Sequence, residues 1–543
     1  MHGSTREDPV TEAEVLVVGA GPAGLMLGCE LRARGVDCLL VERETEIDPR
    51  TRAVMVHAAS LERFEALGLR EALEARGVTQ LRIGFHTLSR SWALDFTDQD
   101  TPFPYYLNVP QPEVEAVLAA AYRDLGGRLL RGALYEGHHE EDGRVVVRLG
   151  TAAGDVRTAA RWLVGADGSS SAVRTGLGLG FDGVTYPMSY LLAEGNPLTE
   201  PPRDESAMYI GPRGAVSLLP MPDGTVRVAG PVARELMERD ATLEFAEFQE
   251  TVDTLGFGDR LRLTKADRLA HYQVHERLAD RFRAGRALLV GDAAHLNSPA
   301  GGQAMNTGFA DATALAWRLA RLSGSAGGDP ALLDDYARER RAAAAEVARS
   351  TGVLPLLDAM RVASAAGDGP DGTSGDIRAQ AGAAEHQVRD GLARLADTWS
   401  QLYVTYPRSG ADGGAEQPAF GNRDTHRLRV GARVPLHTPD RDRFTLLLPP
   451  GDPVRPDGAD PVHSARPGAS AVLPPGTLIA RQSTRQAAFL DRPAAVLVRP
   501  DGHVAAVLAP DGTEPGEGAR GLGAVPAGAT RSHASDVRGG VAV

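Results

Sequence analysis

The chain has 543 residues and a formal net charge of −13, with 58 basic and 71 acidic residues. This length predicts two to four domains, and the negative charge argues against nucleic acid or an anionic membrane surface as the main partner. No apolar run approaches the roughly 18 residues of a membrane-spanning helix, and the polar start lacks a signal-peptide hydrophobic region, so we expect a cytoplasmic protein.

The first predicted element is a strand-helix-strand unit with a glycine pattern at its first turn. An apolar run over residues 15–18 precedes Gly-Ala-Gly-Pro-Ala-Gly, and a second apolar run ends at Glu42. Such a turn brings backbone N–H groups to a pyrophosphate, and an acid about 20 residues later can accept the ribose hydroxyls. Because the chain has 62 glycines, the glycine pattern alone could occur by chance, and the prediction depends on the flanking strands, helix and acid. The predicted dinucleotide contacts are Gly19, Gly21, Pro22, Ala23, Gly24, Glu42 and Arg43.

Two further segments place glycine and aspartate directly after a predicted strand. A strand over residues 162–164 leads to Asp167 and a serine-rich helix start that ends at Arg174. A strand over residues 287–290 leads to a Gly-Asp pair ending at Asp292, then to Pro-Ala-Gly-Gly and an amphipathic helix. A carboxylate at a strand end can accept hydrogen bonds from a polyol, and a glycine loop at a helix start can stabilise charge on a reduced flavin ring. These features favour FAD over NAD.

Together the three segments resemble the flavoprotein aromatic hydroxylases, the single-component FAD monooxygenases that include the phenol and aromatic-polyketide hydroxylases. The resemblance implies that Asp292 holds the ribityl chain, and that Asp167 and Arg174 serve both FAD and NAD(P)H. Ala59 departs from the family, since many members carry a second arginine there. The further flavin contacts that the resemblance implies are Arg52, Gln111, Asp167, Arg174, Gly291, Asp292, Pro299, Gly301, Gly302 and Asn306.

The fold class that follows is α/β with an α+β substrate domain. The resemblance implies a Rossmann-like FAD-binding domain interleaved with an antiparallel β-sheet substrate domain, and short alternating runs split by Pro-Asp-Gly independently indicate antiparallel strands. A C-terminal thioredoxin-like domain is also implied, but without cysteines it has no redox site. The predicted domains are residues 1–77, 109–182 and 284–365 for FAD, 78–108 and 183–283 for substrate, 377–426 as a helical connector, and 427–543 as the thioredoxin-like tail.

The implied activity is a monooxygenase reaction on a small molecule. Noncovalently bound FAD is reduced by NADPH or NADH. Because only one such β-α-β unit is present, the nicotinamide nucleotide binds only transiently. A flavin hydroperoxide formed with molecular oxygen then hydroxylates a polycyclic aromatic, polyketide-like phenol or quinone. Baeyer–Villiger oxygen insertion or epoxidation is an alternative. A non-oxygenating FAD-dependent reductase, or a binding protein that retains the flavin fold, is another. We expect no metal site, and the oligomeric state is left open.

A phenol reacts faster as phenolate, so a base is expected, although deprotonation in solution or through the substrate's own hydroxyls would also serve. A lone His or Tyr is more often a core or surface residue, so the catalytic residue stays unassigned. The candidates, from segments expected near the pocket, are His57, His86, Tyr105, Tyr106, Tyr186 and Tyr190.

Overall fold

A computed structural model describes the protein over residues 11–211, 213–231, 244–323, 329–350, 354–365, 375–402, 404–406, 419–420, 445–448, 478–481, 495–501 and 503–508. The architecture is mixed α/β, with a largely parallel sheet and a largely antiparallel sheet in one chain. This confirms the predicted fold class. Among the described helices, none combines the length and the apolar character that a membrane span requires.

The strands of the first half belong to the two large sheets and to a small third sheet. In chain order they are β1 (Thr11–Val18), α1 (Pro22–Ala33), β2 (Cys38–Glu42), β3 (Met55–Val56), α2 (Ala58–Ala66), α3 (Arg70–Glu74), β4 (Val78–Gln80), β5 (Arg82–His86), β6 (Ser91–Asp95), β7 (Tyr106–Asn108), α4 (Gln111–Asp124), β8 (Arg128–Arg131), β9 (Ala133–Glu141), β10 (Arg144–Thr151), β11 (Gly154–Gly165) and α5 (Ala172–Gly176).

The second half adds the long antiparallel strands and then the helices. These elements are β12 (Phe181–Pro197), β13 (Glu205–Gly211), β14 (Gly214–Pro220), β15 (Val226–Pro231), α6 (Phe245–Asp253), β16 (Leu263–Ala279), β17 (Arg283–Ala284), β18 (Ala287–Leu289), β19 (His295–Leu296), α7 (Gln303–Ser323), α8 (Ala331–Ser350), α9 (Leu354–Ala365) and α10 (Gly375–Ser400). Short strands follow: β20 (Val404–Thr405), β21 (Ala419–Phe420), β22 (Thr445–Leu448), β23 (Leu478–Arg481), β24 (Ala495–Val498) and β25 (Val504–Leu508).

The first sheet has the order β17-β18-β11-β1-β2-β8, with β10 and β9 attached beside β11. The pairs β18–β11, β11–β1, β1–β2 and β2–β8 are all parallel. β2, β18 and the last four residues of β1 and of β11 are almost wholly apolar and buried, as parallel strands covered on both faces require. The carboxyl ends of β18, β11 and β1 therefore lie side by side, and these are the ends from which the three glycine-bearing segments leave.

The second sheet has the order β19-β16-β12-β15-β14-β13-β5-β6, and all its pairs are antiparallel except β13–β5. Strands from residues 82–95 and from residues 181–296 thus join one sheet, and the predicted domain bounds stay a prediction. One face packs on α6. The other face packs on α9 and α10 through an apolar cluster that includes Met55, Phe85, Ile210, Leu219 and Trp399. The strand β7 instead pairs with β3 on one side and with β4 on the other, so part of residues 78–108 belongs to a separate small sheet.

Most of residues 427–543 lie outside the described residues, so the thioredoxin-like assignment of the tail stays a prediction. Its described strands form a sheet of order β23-β22-β24-β25 with one parallel and two antiparallel pairs. The turn between β24 and β25 inserts charged side chains between α7 and α8. Arg499 bonds Glu339 at 2.9 Å, and Asp501 accepts hydrogen bonds from Arg499 and from the indole of Trp317, both at 3.0 Å.

This contact predicts that the tail contributes strongly to stability. Glu339 is almost completely buried between Arg318 and Arg499, so Glu339→Gln leaves Asp501 as the one carboxylate that balances two buried guanidiniums in this cluster. We expect the free energy of unfolding to fall by about 3 to 5 kcal/mol. The matched control is Glu71→Gln, because the Glu71 side chain is 89% exposed. Denaturant unfolding of the full-length protein measures both variants. Equal stability of the two would contradict a structural role for this ion cluster.

Candidate functional site

The first glycine turn forms a tight cradle at the carboxyl end of β1. Gly19 has φ +106°, a conformation that favours glycine, and a Cβ at Gly24 would overlap the carbonyl oxygen of Gly19. Gly21 precedes α1, and a Cβ placed there would meet no atom within 4 Å. Space is therefore open directly in front of the helix N-terminus, where a phosphate group is favoured. Glu42 lies beside this space and accepts a hydrogen bond from the backbone N of Ala20 at 2.7 Å.

The turn after β18 carries Asp292, whose carboxylate faces the same edge. The side chain is solvent-exposed even though protein atoms surround it closely, and this partial desolvation raises the pKa of the carboxyl. Among the described residues the Asp292 carboxylate has no hydrogen-bond partner. A deep but accessible acceptor without an internal partner fits a ligand hydroxyl, such as those of a ribityl chain.

A buried acid that sequence reasoning missed, Asp311 of α7, fixes this turn. Its carboxylate accepts hydrogen bonds from the backbone N of Gly291 at 3.0 Å and from Arg340 at 2.6 Å, and it contacts His295 at 2.7 Å. Burial alone would raise the pKa of Asp311, but the Arg340 and His295 partners hold it below the ordinary value. The sequence feature that could have identified Asp311 is that it is a single acid inside the apolar pattern of the α7 sequence.

The glycine loop at the start of α7 is held by contacts from three directions. Gly301 has φ +71°, and a Cβ on it would overlap the indole of Trp399, which approaches from α10. Asn306 is fully buried and donates to the carbonyl oxygens of Gly302 at 2.8 Å and Met55 at 2.9 Å. Pro299 precedes the short 3₁₀ turn Ala300–Gly302. The amide of Asn306 is thus used within the protein and positions the loop.

Asp167 and Arg174 organise the turn after β11. Asp167 accepts hydrogen bonds from the Ser171 hydroxyl at 2.5 Å and from the backbone N of Val173 at 3.1 Å, so it caps the start of α5. Arg174 is buried and donates to the carbonyl oxygen of Ala293 at 2.9 Å. Arg174 therefore joins this turn to the one that carries Asp292. Direct contacts of these two residues with a cofactor remain predictions.

The loop that carries Arg52 is tied to the antiparallel sheet. Arg227 and Arg268 both donate to the carbonyl oxygen of Thr51 at 2.7 Å. The Arg52 side chain is 65% exposed and pairs with Asp48 at 2.8 Å, so it is free to turn toward a phosphate. Gln111 accepts from the backbone N of Ala53 at 3.1 Å. Arg43 is exposed and pairs with Glu44.

Of the six candidate bases, His57 and Tyr106 lie closest to the glycine loop. His57 is buried, and its Nε2 lies 2.6 Å from the carbonyl oxygen of Gly301, which assigns the hydrogen to Nε2. Burial lowers the pKa of His57 to about 4. Its Nδ1 is buried without a partner among the described residues. The Tyr106 ring lies 5.8 Å from the His57 ring and its hydroxyl donates to the carbonyl oxygen of Arg82 at 3.2 Å.

The other four candidates lie elsewhere. His86 stacks on Tyr209 at 5.1 Å, near the tip of β5. The Tyr105 hydroxyl donates to Glu74 of α3. Two tyrosines lie on β12: Tyr186 donates to Glu276 at 2.9 Å, and Tyr190 stacks on Tyr272 at 5.9 Å. Within the described residues, no group of three or more His, Cys, Asp or Glu side chains is placed to bind a metal ion.

Comparison with known proteins agrees with this geometry, since residues 12–351 match the model of the FAD binding domain family. The chain belongs to this family of flavin-dependent monooxygenases. It is 32% identical to the 12-dehydrotetracycline 5-monooxygenase/anhydrotetracycline 6-monooxygenase of Streptomyces rimosus, over 92% of this chain and 96% of that protein. The solved anhydrotetracycline hydroxylase OxyS of Streptomyces rimosus superposes with a TM-score of 0.68 at 27% identity, over 94% of this chain and 99% of that one.

Another relative is named as a synthase and not as a monooxygenase. The dialkyldecalin synthase of Streptomyces rugosporus is 34% identical, over 62% of this chain and 71% of that protein. The enzyme binds FAD. The open space at Gly21 fits the pyrophosphate, the accessible Asp292 carboxylate fits the ribityl chain, and the Gly301 loop fits the ring.

Asp292 gives the sharpest test of the cofactor site. Asp292→Ala removes a charge-assisted hydrogen bond worth about 1.5 to 3 kcal/mol, so we expect FAD to bind about tenfold or more weakly. Asp292→Asn, which keeps an acceptor but loses the charge, should fall between this variant and the wild type. Equilibrium dialysis of FAD measures all three proteins. Unchanged affinity in a folded Asp292→Ala protein would remove Asp292 from the site.

His57 predicts an acid-sensitive step in stability. The unfolded imidazole takes up a proton below about pH 6.5, whereas the folded one does so only near pH 4. The contribution of His57 to the free energy of unfolding is therefore fully present above pH 6.5. It is lost as the pH falls toward 4, and the loss amounts to about 3 kcal/mol. His57→Gln should flatten the pH dependence of the unfolding free energy over this range. His139→Gln, at an exposed site, is the control and should leave it unchanged.

Proposed function

We propose that the enzyme hydroxylates a polycyclic aromatic, polyketide-like phenol or quinone, and that it consumes NADPH or NADH and molecular oxygen. The observation that carries this proposal is that the glycine loop of α7 and the sheet face that packs on α9 and α10 meet in one apolar cluster. Relatives that match nearly the whole chain are named for oxygenation of tetracycline precursors, which supports the same substrate class.

The cofactor would be held by the residues already described. The turn at Gly19 and Gly21 would bind the pyrophosphate, Glu42 the ribose and Asp292 the ribityl chain, while the loop at Gly301 would flank the ring. When bound, FAD accepts hydride from the nicotinamide nucleotide and supplies the means to transfer one oxygen atom from O₂. The chain's own contribution is to orient the substrate and to exclude water.

The sheet face supports binding of a flat molecule. The side chains of Ser217, Ala229 and Ala270 are small and half-buried, and they lie on the face that also carries Arg227 and Arg268, because residues two apart on a strand share a face. The strands β14, β15, β12 and β16 that provide this face span roughly 14 Å at about 4.8 Å spacing. That width matches a fused ring system better than a single ring.

Proton handling at the substrate involves His57, whose ring lies beside the glycine loop. With its pKa near 4, His57 is neutral at physiological pH, and its Nδ1 can accept a hydrogen bond but is too weakly basic to hold a full proton. We therefore propose His57 as an acceptor for a substrate hydroxyl and leave the phenolate to form in solution or through the substrate's own hydroxyl groups.

Labelled dioxygen tests the reaction. The enzyme should oxidise NADPH slowly alone and much faster with its aromatic substrate, and the product should gain one ¹⁸O atom from ¹⁸O₂ in mass spectrometry. Label that appears only in hydrogen peroxide, across phenols, quinones and polyketides, would sink the proposal. A gain of two hydrogens would indicate a reductase, and an isomerised product without oxygen would indicate a synthase. Product NMR separates a ring hydroxyl from a lactone or an epoxide.

A further inference from the structure

The four tryptophans of the chain differ in what their indole N–H groups contact. Trp92 donates to Glu385 at 3.1 Å, and Trp317 donates to Asp501 at 3.0 Å. Trp162 and Trp399 are equally buried, at 3% and 2% exposure, but their N–H groups have no acceptor among the described residues. A buried donor without an acceptor is destabilising and rare in folded proteins.

The place of Trp399 distinguishes it from Trp162. Trp399 lies in the last turn of α10 and packs directly on Gly301, within the apolar cluster that joins the sheet face to α9 and α10. Trp162 lies in β11, three residues before its last residue Gly165, so it is about 10 Å from the strand end along the chain. Only Trp399 therefore has its unused donor at the junction of the glycine loop and the sheet face.

A complementary group lies at the same loop. The Nε2 of His57 is used by the carbonyl oxygen of Gly301, which leaves Nδ1 as an unpartnered acceptor. One unused donor and one unused acceptor thus flank Gly301 from opposite chain segments, α10 and the start of α2. A phenolic hydroxyl can both accept and donate, and a quinone oxygen can accept, so an oxygenated aromatic ring satisfies the donor in either form.

We propose that the indole N–H of Trp399 binds a ring oxygen of the substrate and is a specificity-determining group of the enzyme. This inference rests on the proposed function, because it assumes an oxygenated polycyclic substrate. It assigns to the helical connector a direct part in substrate choice. The backbone around Trp399 supports a fixed position: its carbonyl oxygen accepts from Gln303 at 3.2 Å, and Gln401 in turn donates to Gln303 at 2.7 Å.

The test uses Trp399→Phe in the FAD-loaded, full-length enzyme, with Trp162→Phe as the matched control that loses an equally unpartnered N–H. The probes are 2-naphthol and 2-methylnaphthalene, which differ by one hydroxyl group, and binding is followed by the change in flavin absorbance. Trp399→Phe should weaken 2-naphthol about tenfold, as loss of one hydrogen bond of about 1.4 kcal/mol predicts, and should leave 2-methylnaphthalene unchanged. Trp162→Phe should change neither.

Several outcomes would overturn the inference. Equal weakening of both probes would assign Trp399 to packing, and a loss of FAD affinity would assign its N–H to the flavin. Failure of the wild type to bind 2-naphthol more tightly than 2-methylnaphthalene would also reject it. If Trp399→Phe does not fold, 3-benzothienylalanine at position 399 replaces N–H by sulfur in the same bicyclic shape and gives the same comparison. If Trp399 discriminates between the two probes but no product gains oxygen, the proposed function is rejected and the role of Trp399 in binding is kept.

Discussion

The geometry of the cofactor site depends on one buried carboxylate, that of Asp311. It lies inside α7, yet it binds the backbone N of Gly291 and so fixes the turn that presents Asp292. A buried charge without partners would be costly, and Asp311 is balanced by Arg340 from α8 and by contact with His295. The same carboxylate therefore joins three parts of the fold: α7, α8 and the turn after β18. Neutralising this one acid would disturb all three, because Gly291, Arg340 and His295 share it.

The charge network extends from this point into the C-terminal part of the chain. Arg340 also donates to the Tyr406 hydroxyl at 3.0 Å, and the Tyr406 ring stacks on His503 at 4.1 Å. A second cluster, Arg318, Glu339, Arg499 and Asp501, lies beside it. The tail is thus connected to the flavin turn through buried groups whose charges balance. The tail contains no cysteine, so electron transfer through a dithiol within it is excluded.

The sequence predicted the cofactor half of the molecule well, for a local reason. A strand, a glycine turn and an acid are adjacent in the chain, and the parallel order β18-β11-β1 then brings three such turns together. The sequence could not reveal Asp311, Arg340 or Trp399, because their importance comes from partners far away in the chain. The same limit affected the candidate bases: Tyr105 lies in a short segment near the pocket, yet its hydroxyl is taken by Glu74 of α3.

The antiparallel sheet, to which the proposed function assigns substrate binding, resists prediction because its surface is made of ordinary residues. Ser217, Ala229 and Ala270 come from three strands, and only the register of the sheet places them on one face. Small side chains there widen the space above the sheet without any recognisable motif, and a change from alanine to valine would narrow it without touching the flavin turn. Under the proposed function, substrate choice can therefore vary on the sheet while Gly19, Asp292 and Asp311 stay fixed.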